Sequence, residues 1–228
     1  MNAITLRNLI TESLQLQGFR IRGSEILPPR KLTKTRIRKL HSLAVSHRLA
    51  KSQAGLARHE SELLKRIACG SEVDPQRIKP RLVEVQANSK DELLFRYTSL
   101  HWSIPVSSGY GRRLRFLVLD ESNDKLIGII GLGDPVFSLG ERDRWVGWYR
   151  EARRQRLRNV MDAFVLGAVP PYSRLLCGKL VAMLVASNEV RRAFRRKYGS
   201  QESLISERPL DNRLALITTS SALGRSSI

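Results

Sequence analysis

The stretch "RLRFLVLDESNDKLIGIIGLGDPVF", residues 113–137, decides the fold. Its first eight residues alternate and then run apolar, rich in Leu, Val and Phe, as a half-buried strand does. "SND" at 122–124 is turn chemistry, because short polar side chains bond their own backbone. "KLIGIIGLGDPVF" is then a second strand, so the stretch predicts a β-hairpin.

Downstream, "VMDAFVLGAV" (160–169) reads as a third strand. In "VPPYSRLLCGKLVAMLVAS" (169–187) the proline pair Pro170-Pro171 makes a corner and an apolar helix follows. Helical spacing predicts one helix from about Ser173 to Tyr198, with Leu176, Leu180, Met183, Leu184, Ser187, Val190 and Phe194 buried and Gly199 as its cap. "LALITTSSAL" (214–223) is a fourth strand. Hairpin, strand, helix and strand in that order predict an α+β fold with a mixed sheet, since a helical crossover suits parallel neighbours. This is also the order of the central part of an N-acetyltransferase-like (GNAT-like) scaffold, an analogy of fold that carries no activity.

Upstream, Leu6, Ile10 and Leu14 make one face of a helix ended by Gly18, and "LPP" at 27–29 is a break. Apolar residues recur at helical spacing from about Thr33 to Ala68, with serines and Gly55 dividing the region into two helices. "DPQRIKP" (74–80) reads as a connector. The expected division is therefore a basic helical region, 1–90, and an α+β core, 91–228.

Forty Lys and Arg oppose 21 Asp and Glu, a net charge of +19. Self-repulsion on that scale is relieved by a polyanion, and nucleic acid is the first candidate. No apolar run approaches the ~20 residues of a membrane span, no signal peptide opens the chain, and Cys69 and Cys177 form no disulfide framework. A cytoplasmic protein without membrane partners is expected.

The charge is clustered. From Ile26 to His59 there are nine basic residues, Arg36, Arg38 and Lys39 among them, and no acid. Five arginines in 150–158, including Arg154 and Arg158, face one glutamate. Arg112 and Arg113 project beside the start of the first strand. "RRAFRRK" places Arg191, Arg192, Arg195, Arg196 and Lys197 on one helical stripe beside an apolar Phe194. Such a stripe is either a solvated face suited to a helix C-terminus or a set of phosphate contacts. With the acid-free segment and the net charge, phosphate contact is the favoured reading, to duplex backbone because stacking aromatics are sparse.

Catalytic signals are weak. Asp134, Asp143 and Asp162 are carboxylates in a basic protein, and Tyr110 is a possible acid. Convergence on a metal would make a nuclease-like site, but the spacing fits no metal motif. Asp134-Pro135 reads equally as a strand-ending turn, and "ERDR" (141–144) as a surface ion-pair run. Asp162 lies inside an apolar strand and needs a partner; an arginine from 112–115 or 153–158 is expected. The histidines show no metal spacing, and Ser103, Ser107 and Ser108 sit in no GxSxG elbow. Gly178 and Lys179 at the start of the long helix could hold an anion. However, Cys177 and Lys179 stand where a pyrophosphate loop wants glycine, so a helix docking on a sheet is favoured and no cofactor is expected.

Four stretches, "LHWSIPVSSGYGRRLRFLVLD", "KLIGIIGLGDPVFSLGERDRWVGW", "MDAFVLGAVPPYSRLLCGKLVA" and "LALITTSSALGRSSI", together resemble the DruA family. That family is the A component of Druantia anti-phage defence systems, also catalogued as a domain of unknown function near or fused to transposase-like genes. The resemblance extends over nearly the whole chain. It implies a role against invading DNA beside a helicase-containing partner, and no settled activity. The family pattern has two glycines before the lysine where this chain has Cys177 and Gly178. Family members also continue beyond "ALGRSS", so a C-terminally truncated or partial core is expected.

Overall fold

The computed structural model describes residues 2–107, 109–200 and 213–224. Ser108 and the last residues of the family-like stretch, 225–228, lie outside the described residues.

Helix α1 (Ala3–Leu16) is capped by Asn2, whose side chain accepts from the Thr5 N–H at 2.8 Å. A small hairpin follows, β1 (Arg20–Arg22) with β2 (Glu25–Leu27). Helix α2 (Lys34–Leu56) starts at Thr33, whose hydroxyl accepts from the Arg36 N–H, and the short α3 (Glu60–Leu64) succeeds it. The expected division of this region into two helices thus falls at residues 57–59.

The main sheet has five strands in sequence order. β3 (Pro80–Glu84) pairs with β4 (Arg113–Asp120), β4 with β5 (Lys125–Gly133), and β5 with β6 (Val160–Ala168), all antiparallel. β7 (Leu216–Thr219) closes the order and runs parallel to β6. The hairpin around "SND", the third strand and the parallel fourth stand as read from the sequence. β3 lies within the expected N-terminal region, so the sheet draws on residues from both sides of Lys90. Helix α4 (Lys90–Leu100) crosses from β3 to β4, capped by the Ser89 hydroxyl.

The two sheet faces bury different partners. One carries Leu114, Phe116 and Val118 of β4 with Ile130, Leu132, Met161 and Ala163. It packs on α7 (Cys177–Leu184) and α8 (Asn188–Tyr198) through Val181, Val190, Ala193 and Phe194. The other carries Leu117, Leu119, Leu126, Ile129 and Val165 against Leu56, Leu63, Leu94 and Phe95. Each Val, Leu, Ile, Phe or Met among them contributes roughly 1.5–3 kcal/mol when taken from water. A Cβ at Gly128 would stand 2.8 Å from Cγ2 of Val181, so glycine there lets α7 approach the strand.

The single helix expected over 173–198 is two. Backbone bonds from Ala186 to Met183 and Ser187 to Leu184 tighten the end of α7, and Ser187, extended at φ −69 and ψ 164, starts α8. The break shifts the buried face. Leu176 is 83% and Met183 67% exposed, whereas Val181, Val185 and Ala193 are buried. Between β5 and β6 the chain forms α5 (Gly140–Val146) and α6 (Arg150–Arg156) at the end of the sheet.

Candidate nucleic-acid interface

The arginines fall into two groups, set by what lies within reach of each guanidinium. At the α5–α6 corner Arg142 is buried. Its Nε and Nη2 donate to Oδ1 of Asp143 at 2.9 and 2.7 Å, and Nη1 and Nη2 donate to the carbonyls of Val136 and Phe137. Arg153 donates to Oδ2 of Asp143 at 2.9 Å and stacks 5.0 Å over the Phe137 ring. Burial pushes the Asp143 carboxyl up, but the bonds from Arg153 and Arg142 outweigh it and hold the group below the ordinary aspartate range. "ERDR" is thus half interior and half surface: Arg142 and Asp143 are buried, while the Arg144–Glu141 pair is exposed.

Arg112 behaves like Arg142. Its Nε donates to Oδ1 of Asp134 at 2.6 Å, its backbone N–H to Oδ2 at 3.0 Å, and its Nη atoms to the carbonyls of Arg158 and Val160. The guanidinium also sits 5.3 Å from the Phe194 ring centroid. Gly111, at φ +65, leaves the space that the Asp134 carboxylate fills. Asp134 therefore ties the start of β4 to the end of β5. Tyr110 donates its hydroxyl to the Pro135 carbonyl at 2.7 Å and stays largely exposed.

Asp162 has a different partner from the one expected. Its Oδ1 accepts from the Thr218 hydroxyl on β7 at 2.7 Å, and no ion pair among the described residues engages it. Burial pushes its pKa up, against the Thr218 bond and the positive charge of Arg142, which act in the other direction. β6 and β7 are parallel neighbours, with Asp162 facing Thr218 in the register, and that pairing supplied the hydroxyl. Asp134, Asp143 and Asp162 share one end of the sheet, but each is held by its own partners. Among the described residues no group of three or more His, Cys, Asp or Glu could hold a metal ion.

The second group is on α8. Val190, Ala193, Phe194 and Tyr198 are buried, which leaves Arg191, Arg192, Arg195, Arg196 and Lys197 facing out. Arg196 bridges to Glu84 on β3, and the Lys197 Nζ donates to the Arg113 carbonyl at 2.9 Å. Arg192 lies close enough to lower the Glu189 pKa, after that residue's own backbone bond and Ser187. No ion pair among the described residues engages Arg191 or Arg195. Arg154 and Arg158 are exposed, while Arg113 is half-buried and donates to the Gly109 carbonyl. On α2, Arg38 and Lys39 are exposed, and Arg36 reaches back to the Gln17 carbonyl over Gly18.

A family model described as "Druantia protein DruA" matches residues 31–228. The chain belongs to the DruA family. It is 46% identical over 223 residues to the Druantia protein DruA of Escherichia coli (strain UMEA 4076-1), an alignment covering 98% of this chain and 55% of that protein. The chain thus spans about half the length of the curated relative it matches. No solved structure matches it. No helix among the described residues is long and apolar enough to cross a membrane.

In this DruA-family chain the loop entering α7 is set by Leu176, which takes a left-handed φ of 60. Cys177 turns into the core at 4% exposure. Burial pushes its thiol pKa up, and the charge of Asp120 adds to that. Gly178 has open space where a Cβ would be, and Lys179 is exposed.

The sequence reading missed two sets of residues. The Arg142–Asp143–Arg153 cage has only a weak signal, an acid flanked by arginines in a polar run. A latch at the hairpin turn is the second: Asp120, fully buried, accepts from the Tyr172 hydroxyl at 2.9 Å and from the Lys79 and Ser122 N–H groups at 3.0 Å. Burial raises the Asp120 pKa, but those bonds together hold it below the ordinary range, and Tyr172 is pushed up to about 12 mainly by burial. An aspartate ending an apolar strand before "SND" was the available clue.

Proposed function

We propose that this chain is a DNA-engaging component of an anti-phage defence system, gripping phosphodiester backbone with the outer stripe of α8. The defence role rests on family membership and on the name of the E. coli relative, Druantia protein DruA. The DNA role rests on one observation: Arg191 and Arg195 stand exposed beside Arg192 on a helix anchored by Phe194, and no carboxylate bridges them among the described residues. A row of guanidinium groups that no carboxylate bridges suits phosphates and reads no sequence. Arg154, Arg158, Arg38 and Lys39 extend the basic surface elsewhere, Arg36 and Arg113 reach it with one nitrogen committed to a carbonyl, and Arg112 serves the fold. A helicase-containing subunit is the partner class implied, and transposase-associated action is the neighbouring possibility for the family.

The scaffold is read as acetyltransferase-like. Support comes from the order β3, α4, β4, β5, α5–α6, β6, α7–α8, β7 with only the last pair parallel. No acyl cofactor is assigned, because Gly178 and Lys179 lack the other glycines of a pyrophosphate loop. A nucleic-acid-modifying or nucleic-acid-cleaving enzyme is the second reading, and Asp162 favours it as the one carboxylate of the three that no ion pair among the described residues engages. Loss of a metal- or cofactor-dependent change in DNA on Asp162→Ala would establish that reading.

The direct test is salt-dependent fluorescence anisotropy on unrelated duplexes. Arg191, Arg192 and Arg195 all replaced by Gln should weaken every duplex alike and reduce the slope of log K against log salt by up to about 3. Unchanged affinity and slope would remove α8 from the interface.

A further inference from the structure

On the α4 side of the sheet a cleft of 520 Å³ opens between α2, α4 and the start of β4, a size ordinary for a small-ligand site. Its floor follows from the strand sequences. On β4 the residues of this face are Leu119 and Leu117 and then, by period two, Arg115 and Arg113. Opposite the two arginines, β5 offers Gly131 and Gly133. The β-bulge at Gly131/Leu132 leaves one extra residue on β6, Phe164, between the paired Ala163 and Val165. A Cβ at Gly131 would stand 2.6 Å from Cε2 of that ring. Phe164 therefore lies over bare backbone, half-buried, and lines the cleft.

Four arginines line the same cleft: Arg48 from α2, Arg96 from α4, and Arg113 and Arg115. Glu92 neutralises Arg115 at 2.8 Å. Arg48 and Arg113 donate to the carbonyls of Val106 and Gly109 at 2.6 and 3.1 Å, contacts that orient them without cancelling their charge. Arg96 is exposed, and no ion pair among the described residues holds it.

We propose that this cleft takes an unpaired nucleotide of a single strand, its base on the Phe164 ring and its flanking phosphates on Arg48, Arg96 and Arg113. A duplex keeps its base faces inside its own stack and could use these cations but not the ring. The carboxylates of an acidic peptide could meet the cations but have no favourable contact with the negative face of a phenyl ring. The inference rests on the nucleic-acid reading above but uses residues remote in sequence from α8.

The test measures binding of a labelled oligothymidylate to the full chain, beside an abasic strand of the same length and a duplex. The abasic strand should bind about tenfold more weakly than the oligothymidylate, the scale of one base on one aromatic ring. Phe164→Leu should cause the same loss on the oligothymidylate and none on the duplex. Arg96→Gln, at an exposed position where folding is not at risk, should lower the single-strand salt slope by about 0.7. If the abasic strand binds equally well, or a folded Phe164→Leu and Arg96→Gln both leave the oligothymidylate unchanged, the inference is overturned while duplex binding through α8 stands. If no nucleic acid binds at all, both fall.

Discussion

The α5–α6 corner and the outer face of α8 are both written in arginine, yet they do opposite things. At the corner, Arg142 and Arg153 close on Asp143 and on backbone carbonyls, and little of their charge reaches solvent. On α8, Arg191 and Arg195 meet no carboxylate among the described residues, and the helix is held instead by Phe194 and Val190 beneath it. Net charge counts both groups equally. What separates them is whether a carboxylate and free carbonyls arrive at the same place, and that is a property of the fold.

The comparison breaks most sharply at Asp143. Asp143→Ala leaves the buried Arg142 guanidinium without its counter-charge, a loss of roughly 3 kcal/mol or more. Urea unfolding should show it as a lower midpoint at unchanged slope. The Asp143 carboxyl is held below its unfolded value of about 3.9, so its contribution is present above that pH and is lost as pH falls through the folded value. Wild type and variant should therefore converge in strongly acid solution. Equal stability of the two at neutral pH would mean that the corner is as dispensable as a surface pair.

Arg112→Gln comes next, at about 2 kcal/mol, because Asp134 and the carbonyls of Arg158 and Val160 lose charge-assisted donors. The same measurement places Arg112 with the corner. If it instead left stability intact and weakened DNA binding, Arg112 would belong with α8.

How much of this was legible depended on the range of the interaction. The hairpin, the third strand and the strand at 214–223 were legible because period-two apolar runs and "SND" are local signals. β3 was not, since "RLVEV" sits behind prolines in a polar segment and gains its identity only by pairing with β4. The break between α7 and α8 was hidden in a continuous apolar pattern, and Leu176 and Met183 were misplaced with it. Of the candidate site, the α8 stripe was legible as a stripe. That Arg112 and Asp143 would be locked in, and that Asp162 would meet Thr218, depended on residues 22, 10 and 56 positions away.

A smaller effect, of opposite sign, is expected at Asp162. Burial raises its folded pKa above the unfolded value, so ionisation costs stability as pH rises through that folded value. Asp162→Asn keeps an acceptor for Thr218 and removes the charge. Its melting temperature should exceed that of the parent at neutral pH, by the equivalent of less than about 1 kcal/mol, and the two should meet below about pH 3.9. A destabilised Asn variant would show that Arg142 stabilises the ionised form after all, and would move Asp162 into the corner.

The least effect on stability belongs to α8. Replacing Arg191, Arg192 and Arg195 by Gln lowers the net charge from +19 to +16, since three positive side chains are removed. None of the three is buried, so the change should lie within about 0.5 kcal/mol. Its sign is informative. Relief of self-repulsion should raise stability slightly at low ionic strength and vanish once the Debye length shrinks to about 3 Å in molar salt. Thermal melts at two salt concentrations would separate this from loss of a structural bond, which salt would not restore. A variant that is marginally more stable yet binds duplex more weakly places the stripe on the side of function; one that unfolds easily would make α8 a second version of the corner.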